Sequence, residues 1–149
     1  SEEYFKRKAT LTDEDGKLFS DNDERSIFFA KGVIETVKKL NWAPDIIHVH
    51  GWLASLLPLY LKEYYKDEPL FAGSKIVTSL YNQSFDGTLN KDMINKIKFD
   101  NLADEAIEIL KEPTYNNIMK VAVDYSDALI IGSEEIPNEL QEYLKLIEI

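Results

Sequence analysis

Residues 45–61, DIIHVHGWLASLLPLYL, constrain the fold of this chain more than any other stretch. The first part, Ile46–His50, is apolar and β-branched enough to form a buried strand. It ends at Gly51, a residue type that tolerates dihedral angles that others avoid. A helix is predicted directly after it, over residues 52–65. A strand that passes into a helix in this way is typical of α/β proteins.

Two more strands are predicted, at Lys75–Leu80 and at residues 127–131, and both are followed by turn residues. The other periodic segments predict helices at residues 21–40, 91–99, 102–111, 116–123 and from 137 onward. This β-α-β-α-β-α order favours a Rossmann-like, three-layer α/β domain with a parallel sheet. We expect residues 1–149 to form a single, partial domain of this class.

Two of the predicted helices have an apolar face that can cover the sheet. The first, capped by Asp21 or Asn22, is expected to bury Ile27, Ala30, Ile34, Val37 and Leu40. The second is expected to be kinked by Pro58 and to bury Leu56, Leu57, Tyr60, Leu61 and Tyr64. Upstream, residues 8–11 and 17–19 predict two short extended pieces joined by a turn.

The negative net charge of the chain argues against nucleic acid as a binding partner. A net charge of −10 and a pI near 4.7 would repel nucleic acid, and the basic triplet at residues 6–8 is expected to be a solvated turn. No signal peptide opens the chain and no apolar run approaches the roughly 20 residues of a membrane helix, so we expect a soluble protein. The absence of cysteine excludes disulfides and suits the cytoplasm.

A nucleotide-binding α/β domain normally begins with a strand and a glycine-rich phosphate loop, and neither precedes His48 in this sequence. Three strands are also few for a sheet with covered edges. We therefore expect a fragment, whose edges either pair with a neighbouring chain in a homo-oligomer or leave the isolated piece poorly stable. A cooperative, concentration-independent melt of a monomer would contradict this expectation.

The candidate site follows from the predicted topology. Right-handed crossovers bring the carboxyl ends of parallel strands to one edge, where open α/β sheets bind ligands. His48 and His50 point to the same face of their strand, but no third ligand has metal spacing, so substrate hydrogen bonding or a structural role is favoured over a metal. We expect neither metal nor cofactor.

Three other residues at the same edge each have two interpretations. Trp52 is either a stacking platform for a sugar or a base, or a core residue of the first helical turn. Tyr81 and Asn82 provide a hydroxyl and an amide that suit hydroxyl-rich ligands, although Asn is also common where a strand ends in a turn. Ser133 lies outside any nucleophile elbow, so no covalent serine is expected.

Four groups of residues recur in order along the chain: Asp21-Asn22-x-x-Arg25; PDIIHVHGW from Pro44, followed by Ala54, Leu57-Pro58 and Tyr60-Leu61; Asn82, Phe85 and Gly87; and Asp127 with Ser133 in YSDALIIGSEE. They resemble the amino-terminal domain of bacterial glycogen synthases and plant starch synthases. The corresponding patterns there are DN..R, HxHDWH...L.P.YL, T.HN..YQG and AD...TVS..YA.E. The likeness extends from Tyr4 onward and is greatest to divergent synthases of the Bacteroidetes type.

The resemblance implies a two-domain (GT-B type) glycosyltransferase with facing Rossmann-like halves. Such an enzyme retains stereochemistry, requires no metal, and moves glucose from ADP-glucose or UDP-glucose to the non-reducing end of an α-1,4-glucan. This chain would be part of the amino-terminal half and inactive alone, because most catalytic groups belong to the missing carboxyl-terminal domain. By this resemblance His50, Tyr81 and Asn82 would bind the sugar and Trp52 would shape the pocket, while the catalytic residues remain unknown.

Three positions depart from the family pattern. Gly51 replaces an Asp, Leu53 replaces a His, and Tyr81 replaces the His that precedes the conserved Asn of the pattern. These departures leave an alternative open, a carbohydrate-binding or regulatory module that kept the fold and lost catalysis. A weaker alternative is a nucleotide-sugar transferase that acts on something other than glucan.

Overall fold

In the described part of the chain, the sheet has three parallel strands. The computed structural model describes residues 2–7, 9–102 and 104–147. Its strands are β1 (Ile46–His50), β2 (Lys75–Leu80) and β3 (Ala128–Ile131), in the order β1-β2-β3. His50 pairs with Ser79, and Leu80 pairs with Ile131, so the carboxyl ends of all three strands coincide. The predicted Rossmann-like α/β arrangement is confirmed.

The helices follow the predicted order with adjusted ends. They are α1 (Glu2–Phe5), α2 (Asn22–Lys39), α3 (Leu57–Leu59), α4 (Met93–Lys98), α5 (Asp104–Ile107), α6 (Tyr115–Asp124) and α7 (Asn138–Leu146). Short 3-10 turns lie at Trp52–Ala54, Pro69–Phe71 and Glu108–Lys111. The sequence did not predict α1. Upstream of α2, Leu18 of the second predicted extended piece forms an antiparallel bridge with Thr12, one residue beyond the first predicted piece, whose Lys8 lies outside the described residues.

The two faces of the sheet differ in burial. On one face Val49, Ile76 and Leu80 are at most 3% exposed and join the helices in the hydrophobic core. On the other face, Ile46 is 66% and Ile130 is 46% exposed, and both histidines of β1 are exposed as well. Within the described residues the helices therefore bury one face of the sheet and leave an open face.

The helix predicted after β1 is irregular. A 3-10 turn, the short α3 and a π-helical segment (Tyr60–Tyr64) replace a continuous helix, and Pro58 lies in the first turn of α3 rather than at a kink. In the π segment Tyr65 N–H donates to the Tyr60 carbonyl at 2.9 Å, which inserts one extra residue into the turn. The prediction that Tyr64 points inward is consequently wrong, since Tyr64 is 47% exposed and Tyr65 is 8% exposed.

The ends of α2 also differ from their predictions. Neither Asp21 nor Asn22 caps the helix with its side chain, because both are used in longer-range contacts. Asp21 accepts two hydrogen bonds from the Arg7 guanidinium, at 2.6 and 2.7 Å, and Asn22 donates to the Leu11 carbonyl at 2.9 Å. Arg7 therefore is not part of a solvated basic turn. At the other end Leu40 follows the last helical residue and is 69% exposed, not buried.

Arg25 is a buried cation that joins α2 to the segment before it. It is 2% exposed, and its guanidinium donates to the Tyr4 carbonyl (2.9 Å), to the Thr10 carbonyl and to Asn22 Oδ1 (2.6 Å). Burial lowers the pKa of Arg25 from its usual value. Because a guanidinium offers donors in a fixed planar fork, one side chain can hold three separate acceptors in place.

Asp127 joins the beginning of β3 to β2. Its backbone N–H donates to the Ile76 carbonyl, and its carboxylate accepts from the Ile76 N–H, both at 2.8 Å. The second carboxylate oxygen accepts from Lys62 Nζ at 3.0 Å. These bonds fix the position of β3 beside β2.

Replacing Asp127 with alanine should destabilise the protein, because the buried Ile76 N–H would lose its acceptor. We expect the free energy of unfolding to fall by about 1–3 kcal/mol, measured by urea denaturation. The matched control is Glu142→Ala, whose ion pair with Lys145 has side chains about 70% exposed and should contribute less than about 1 kcal/mol. Equal effects of the two substitutions would contradict this assignment.

The Asp127 carboxylate should make the free energy of unfolding depend on pH in the acid range. Burial alone would raise the pKa of Asp127, but the hydrogen bond from Ile76 N–H and the charge of Lys62 outweigh burial and hold the pKa below its usual 3.8. This contribution is therefore present above about pH 4 and is lost as the pH falls through the folded-state pKa. Asp127→Asn should flatten the loss of stability below about pH 4, and an acid profile that parallels that of the parent would refute this.

Candidate functional site

The candidate site lies where the three strands end. His50 is the last residue of β1, Tyr81 and Asn82 follow β2, and Gly132 and Ser133 follow β3. The register continues past the strands, because Gly132 N–H donates to the Leu80 carbonyl at 2.8 Å. The parallel pairing thus brings together residues that are about 30 to 80 positions apart in sequence. We call this set of strand ends the crevice.

His48 lies on β1, two residues before His50, and its side chain contacts Ser79 of β2. Its Nε2 atom is 2.6 Å from Ser79 Oγ, and Ser79 is 1% exposed. The His48 and His50 rings are 5.7 Å apart on the open face of the sheet. Among the described residues, no carboxylate is found hydrogen-bonded to His48, so this pair lacks the third member of a hydrolase triad.

Tyr81 lies against His50 in the crevice. The two rings meet edge to face with centroids 6.3 Å apart. Tyr81 is half-buried, and no hydrogen bond to its hydroxyl is found within residues 2–7, 9–102 and 104–147. A half-buried phenol that is fixed at the ring and unpaired at the hydroxyl can donate to, or accept from, a ligand.

Asn82 is held by its backbone and leaves its side chain available. The Asn82 N–H donates to Ser133 Oγ at 3.0 Å, which ties the segment after β2 to the segment after β3. The amide side chain of Asn82 is exposed and no hydrogen bond to it is found in the described part of the chain. It therefore offers one acceptor and two donor positions beside Tyr81.

Trp52 lies on the other side of β1, toward α2. Its ring is 5.9 Å from the Arg25 guanidinium carbon, and it packs against the hydrophobic core. No ring contact between Trp52 and Tyr81 is found among the described residues. These contacts are those of a partly buried core residue, and a stacking role for Trp52 stays a prediction.

The turn between His50 and Trp52 has an unusual backbone. Gly51 has φ 82° and ψ 161°, a region occupied almost exclusively by glycine. The departure from Asp at this position is therefore accompanied by a backbone that an Asp would adopt only with strain. The geometry explains why glycine is required here, once the turn has this shape.

The described part of the chain outside the crevice contains a further cavity and lacks a metal cluster. A cavity of about 310 Å³ lies at the opposite, amino-terminal end of the strands, lined by Lys62, Lys66, Lys75 and Asp127 among others. No three His, Cys, Asp or Glu side chains of the described residues are grouped to hold a metal ion. No helix in the described part of the chain is both long and apolar enough to cross a membrane.

The sequence placed Gly132 and Ser133 at this edge through the end of the third strand, but it did not predict the packing role of Gly132, the hydrogen bond of Ser133 or the presence of Ser79. Ser79 sits opposite His50 in the register and reaches back to His48. Gly132 faces Tyr81 because it follows the Leu80–Ile131 pair. The alignment of the strand ends would have predicted these roles. It depends on the register between the strands, which the sequence alone does not give.

The fold and the crevice define a class: a Rossmann-like α/β domain with imidazole, phenol, amide and hydroxyl groups at the carboxyl edge of a parallel sheet. Residues 1–146 match the family described as starch synthase catalytic domain. The chain therefore belongs to that family.

The relatives of this chain are named glycogen synthase. The chain is 37% identical over 142 residues to a glycogen synthase of Chlorobium luteolum, which is 94% of this chain and 28% of that protein. It is 30% identical over 144 residues to a glycogen synthase of Clostridium perfringens, again 28% of that protein. A glycogen synthase of Elusimicrobium minutum is 42% identical over 84 residues, 56% of this chain and 17% of that protein. The chain thus spans less than a third of these relatives.

The link between Ser133 and Asn82 can be tested by hydrogen exchange. Ser133→Ala should remove the acceptor of the Asn82 N–H and accelerate exchange of that amide, with a loss of stability of no more than about 1 kcal/mol because water can replace the hydroxyl. The control is Ser84→Ala, whose hydroxyl contacts only the neighbouring Phe85 carbonyl at 3.4 Å. Unchanged exchange at Asn82 in Ser133→Ala would disprove the link.

Proposed function

We propose that this chain is part of a retaining glucosyltransferase of the glycogen or starch synthase type. The whole enzyme would act in the cytoplasm and move glucose from ADP-glucose or UDP-glucose to the non-reducing end of an α-1,4-glucan. The observation that carries this proposal is the family match over residues 1–146, together with relatives named glycogen synthase. The convergence of His50, Tyr81 and Asn82 in one crevice supports it from the structure.

In this proposal the crevice binds the sugar rather than the phosphates. Glucose presents hydroxyls that both donate and accept, and the imidazole of His50, the phenol of Tyr81 and the amide of Asn82 can do the same. Fixing the sugar by several directed hydrogen bonds lowers the entropic part of the barrier to transfer. Trp52 would shape the pocket without contacting the sugar, because its packing beside Arg25 holds the turn after β1 in place.

None of the crevice side chains described above carries a permanent charge. The leaving nucleoside diphosphate needs cationic groups and backbone donors as negative charge develops on it. These groups would come from the carboxyl-terminal domain of the same protein, which the length of the relatives leaves room for. The chain alone would therefore be inactive, and its partners would be the donor, the glucan and that domain.

The proposal predicts a specific loss on Asn82→Ala in the full-length protein. Removing the amide should cost on the order of 1–3 kcal/mol of transition-state binding, or roughly ten- to a hundred-fold in kcat/KM. The assay is transfer of labelled glucose to glycogen, run with ADP-glucose and with UDP-glucose to identify the donor. The control, Lys145→Ala, alters a side chain that is 71% exposed and should keep parent activity. Parent-level transfer by Asn82→Ala at limiting donor would rule out its sugar-binding role.

A second candidate function is a carbohydrate-binding or regulatory module without catalysis. The glycine-specific backbone at Gly51 favours it, because the turn after β1 has diverged at a position that is polar in the family pattern. The two functions differ in the full-length sequence. A second α/β half with Arg and Lys near a glycine-rich loop and a late Glu supports the enzyme, whereas a different following domain, with glycogen binding and no transfer, supports the module.

A further inference from the structure

Gly132 differs from the other five glycines of the chain in what surrounds it. A Cβ atom built on Gly132 would lie 2.3 Å from Tyr81 Cε1 and 2.7 Å from Tyr81 Cδ1, far inside van der Waals contact. The same construction at the other five glycines meets nothing within 4 Å. Gly132 also lacks the positive φ that explains Gly16, Gly51 and Gly87. The only visible reason for glycine at position 132 is therefore the ring of Tyr81.

The backbone around Gly132 cannot easily move to relieve such a clash. The Gly132 N–H donates to the Leu80 carbonyl at 2.8 Å, which continues the pairing of β2 with β3. The next residue, Ser133, accepts from the Asn82 N–H at 3.0 Å. Because both sides of Gly132 are bonded to the segment that carries Tyr81, a side chain at position 132 would displace the ring rather than the strand.

The position of that ring determines the shape of the crevice. Tyr81 presents its ring edge to face with His50 at 6.3 Å, and its hydroxyl has no partner in the described residues. A ring displaced from Gly132 would change its contact with His50 and the position of its hydroxyl. Such a change would alter the groups that would meet a sugar.

We propose that Gly132 is a positioning residue, which seats the Tyr81 ring on the end of β3 and so sets the edge of the sugar subsite that Tyr81 forms beside His50. The inference rests on the proposed function, since it assigns a role in binding the transferred glucose. Gly132 acts through Tyr81 and makes no contact of its own with the substrate. Substitutions at position 132 should therefore matter only while Tyr81 is present.

The test is a double-mutant cycle in the full-length protein, with the parent, Gly132→Ala, Tyr81→Ala and the double variant. Gly132→Ala should lower kcat/KM for the sugar nucleotide by about tenfold or more. In the Tyr81→Ala background the same substitution should change kcat/KM by less than about twofold. The control, Gly73→Ala, replaces a glycine with an empty surrounding and should match the parent.

A merely structural role gives a different pattern. It would lower the unfolding temperature of Gly132→Ala and leave KM for the donor unchanged, and this result would overturn the inference. Losses that add in the double variant would overturn it as well, because Gly132 would then act independently of Tyr81. Rescue of Gly132→Ala by Tyr81→His, which shortens the ring that meets position 132, would support it.

The cycle also separates this inference from the proposed function. A parent protein with no transfer activity overturns the proposed function. In that case the role of Gly132 in positioning Tyr81 is tested by the unfolding free energies of the four proteins of the cycle and by a crystal structure of Gly132→Ala. A Tyr81 ring in its parental position beside His50 in that structure would refute the inference, and a displaced ring with non-additive unfolding energies would support it.

Discussion

The parallel pairing of β3 with β2 is the interaction on which the candidate site depends. It is fixed at one end by Asp127, which exchanges two hydrogen bonds with Ile76, and at the other by the bond from Gly132 to Leu80. Since side chains alternate between faces, a slip of one residue would move every side chain of β3 to the opposite face. Anchoring both ends therefore does more than stabilise the sheet, because it aligns Gly132 with Tyr81 and Ser133 with Asn82.

A second constraint acts on the opposite side of β1. Burying a guanidinium is expensive unless its donors are satisfied, and Arg25 is satisfied by two backbone carbonyls and by Asn22. In return it holds Tyr4 and Thr10 against α2 and lies 5.9 Å from Trp52. Trp52 follows Gly51 directly, so this packing also fixes the direction in which the chain leaves His50. The crevice is thus bounded by two rigid attachments, one at β3 and one at α2.

The sequence predicted those parts of the structure that depend on local pattern. The bounds of β1 and β2 were predicted correctly, because apolar β-branched runs bounded by turn residues report directly on buried strands. The same reasoning failed at Tyr64, because a π-helical turn shifts the inward position by one residue and no local signal announced it. It also failed at the start of α2, where Asp21 is bound by Arg7 across 14 positions of sequence.

The site was predictable in outline for the same reason. Parallel topology alone placed His50, Tyr81 and Asn82 at one edge, whereas the roles of Gly132 and Ser79 depend on register and on packing between strands. For Trp52 the topology predicted the position at the edge but not the orientation of the ring. The ring faces Arg25 of α2, a residue that is distant in sequence. Composition and periodicity cannot supply contacts of this kind, which arise only when distant segments meet.

The charge of the chain bears on which part of the proposed enzyme would bind the sugar and which would bind the diphosphate of the donor. The net charge is −10, and several lysines that the structure describes are held by carboxylates, as Lys31 is by Asp100 and Lys96 is by Asp23. In the proposed enzyme a diphosphate would be repelled by such a surface, and none of the crevice side chains described above is a lysine or an arginine that would compensate. A sugar has no net charge, so it would meet the same crevice without an electrostatic penalty and gain hydrogen bonds there. Under the proposed function this part of the protein would therefore recognise the sugar, and the charge of the nucleotide donor would be neutralised by groups elsewhere in the protein.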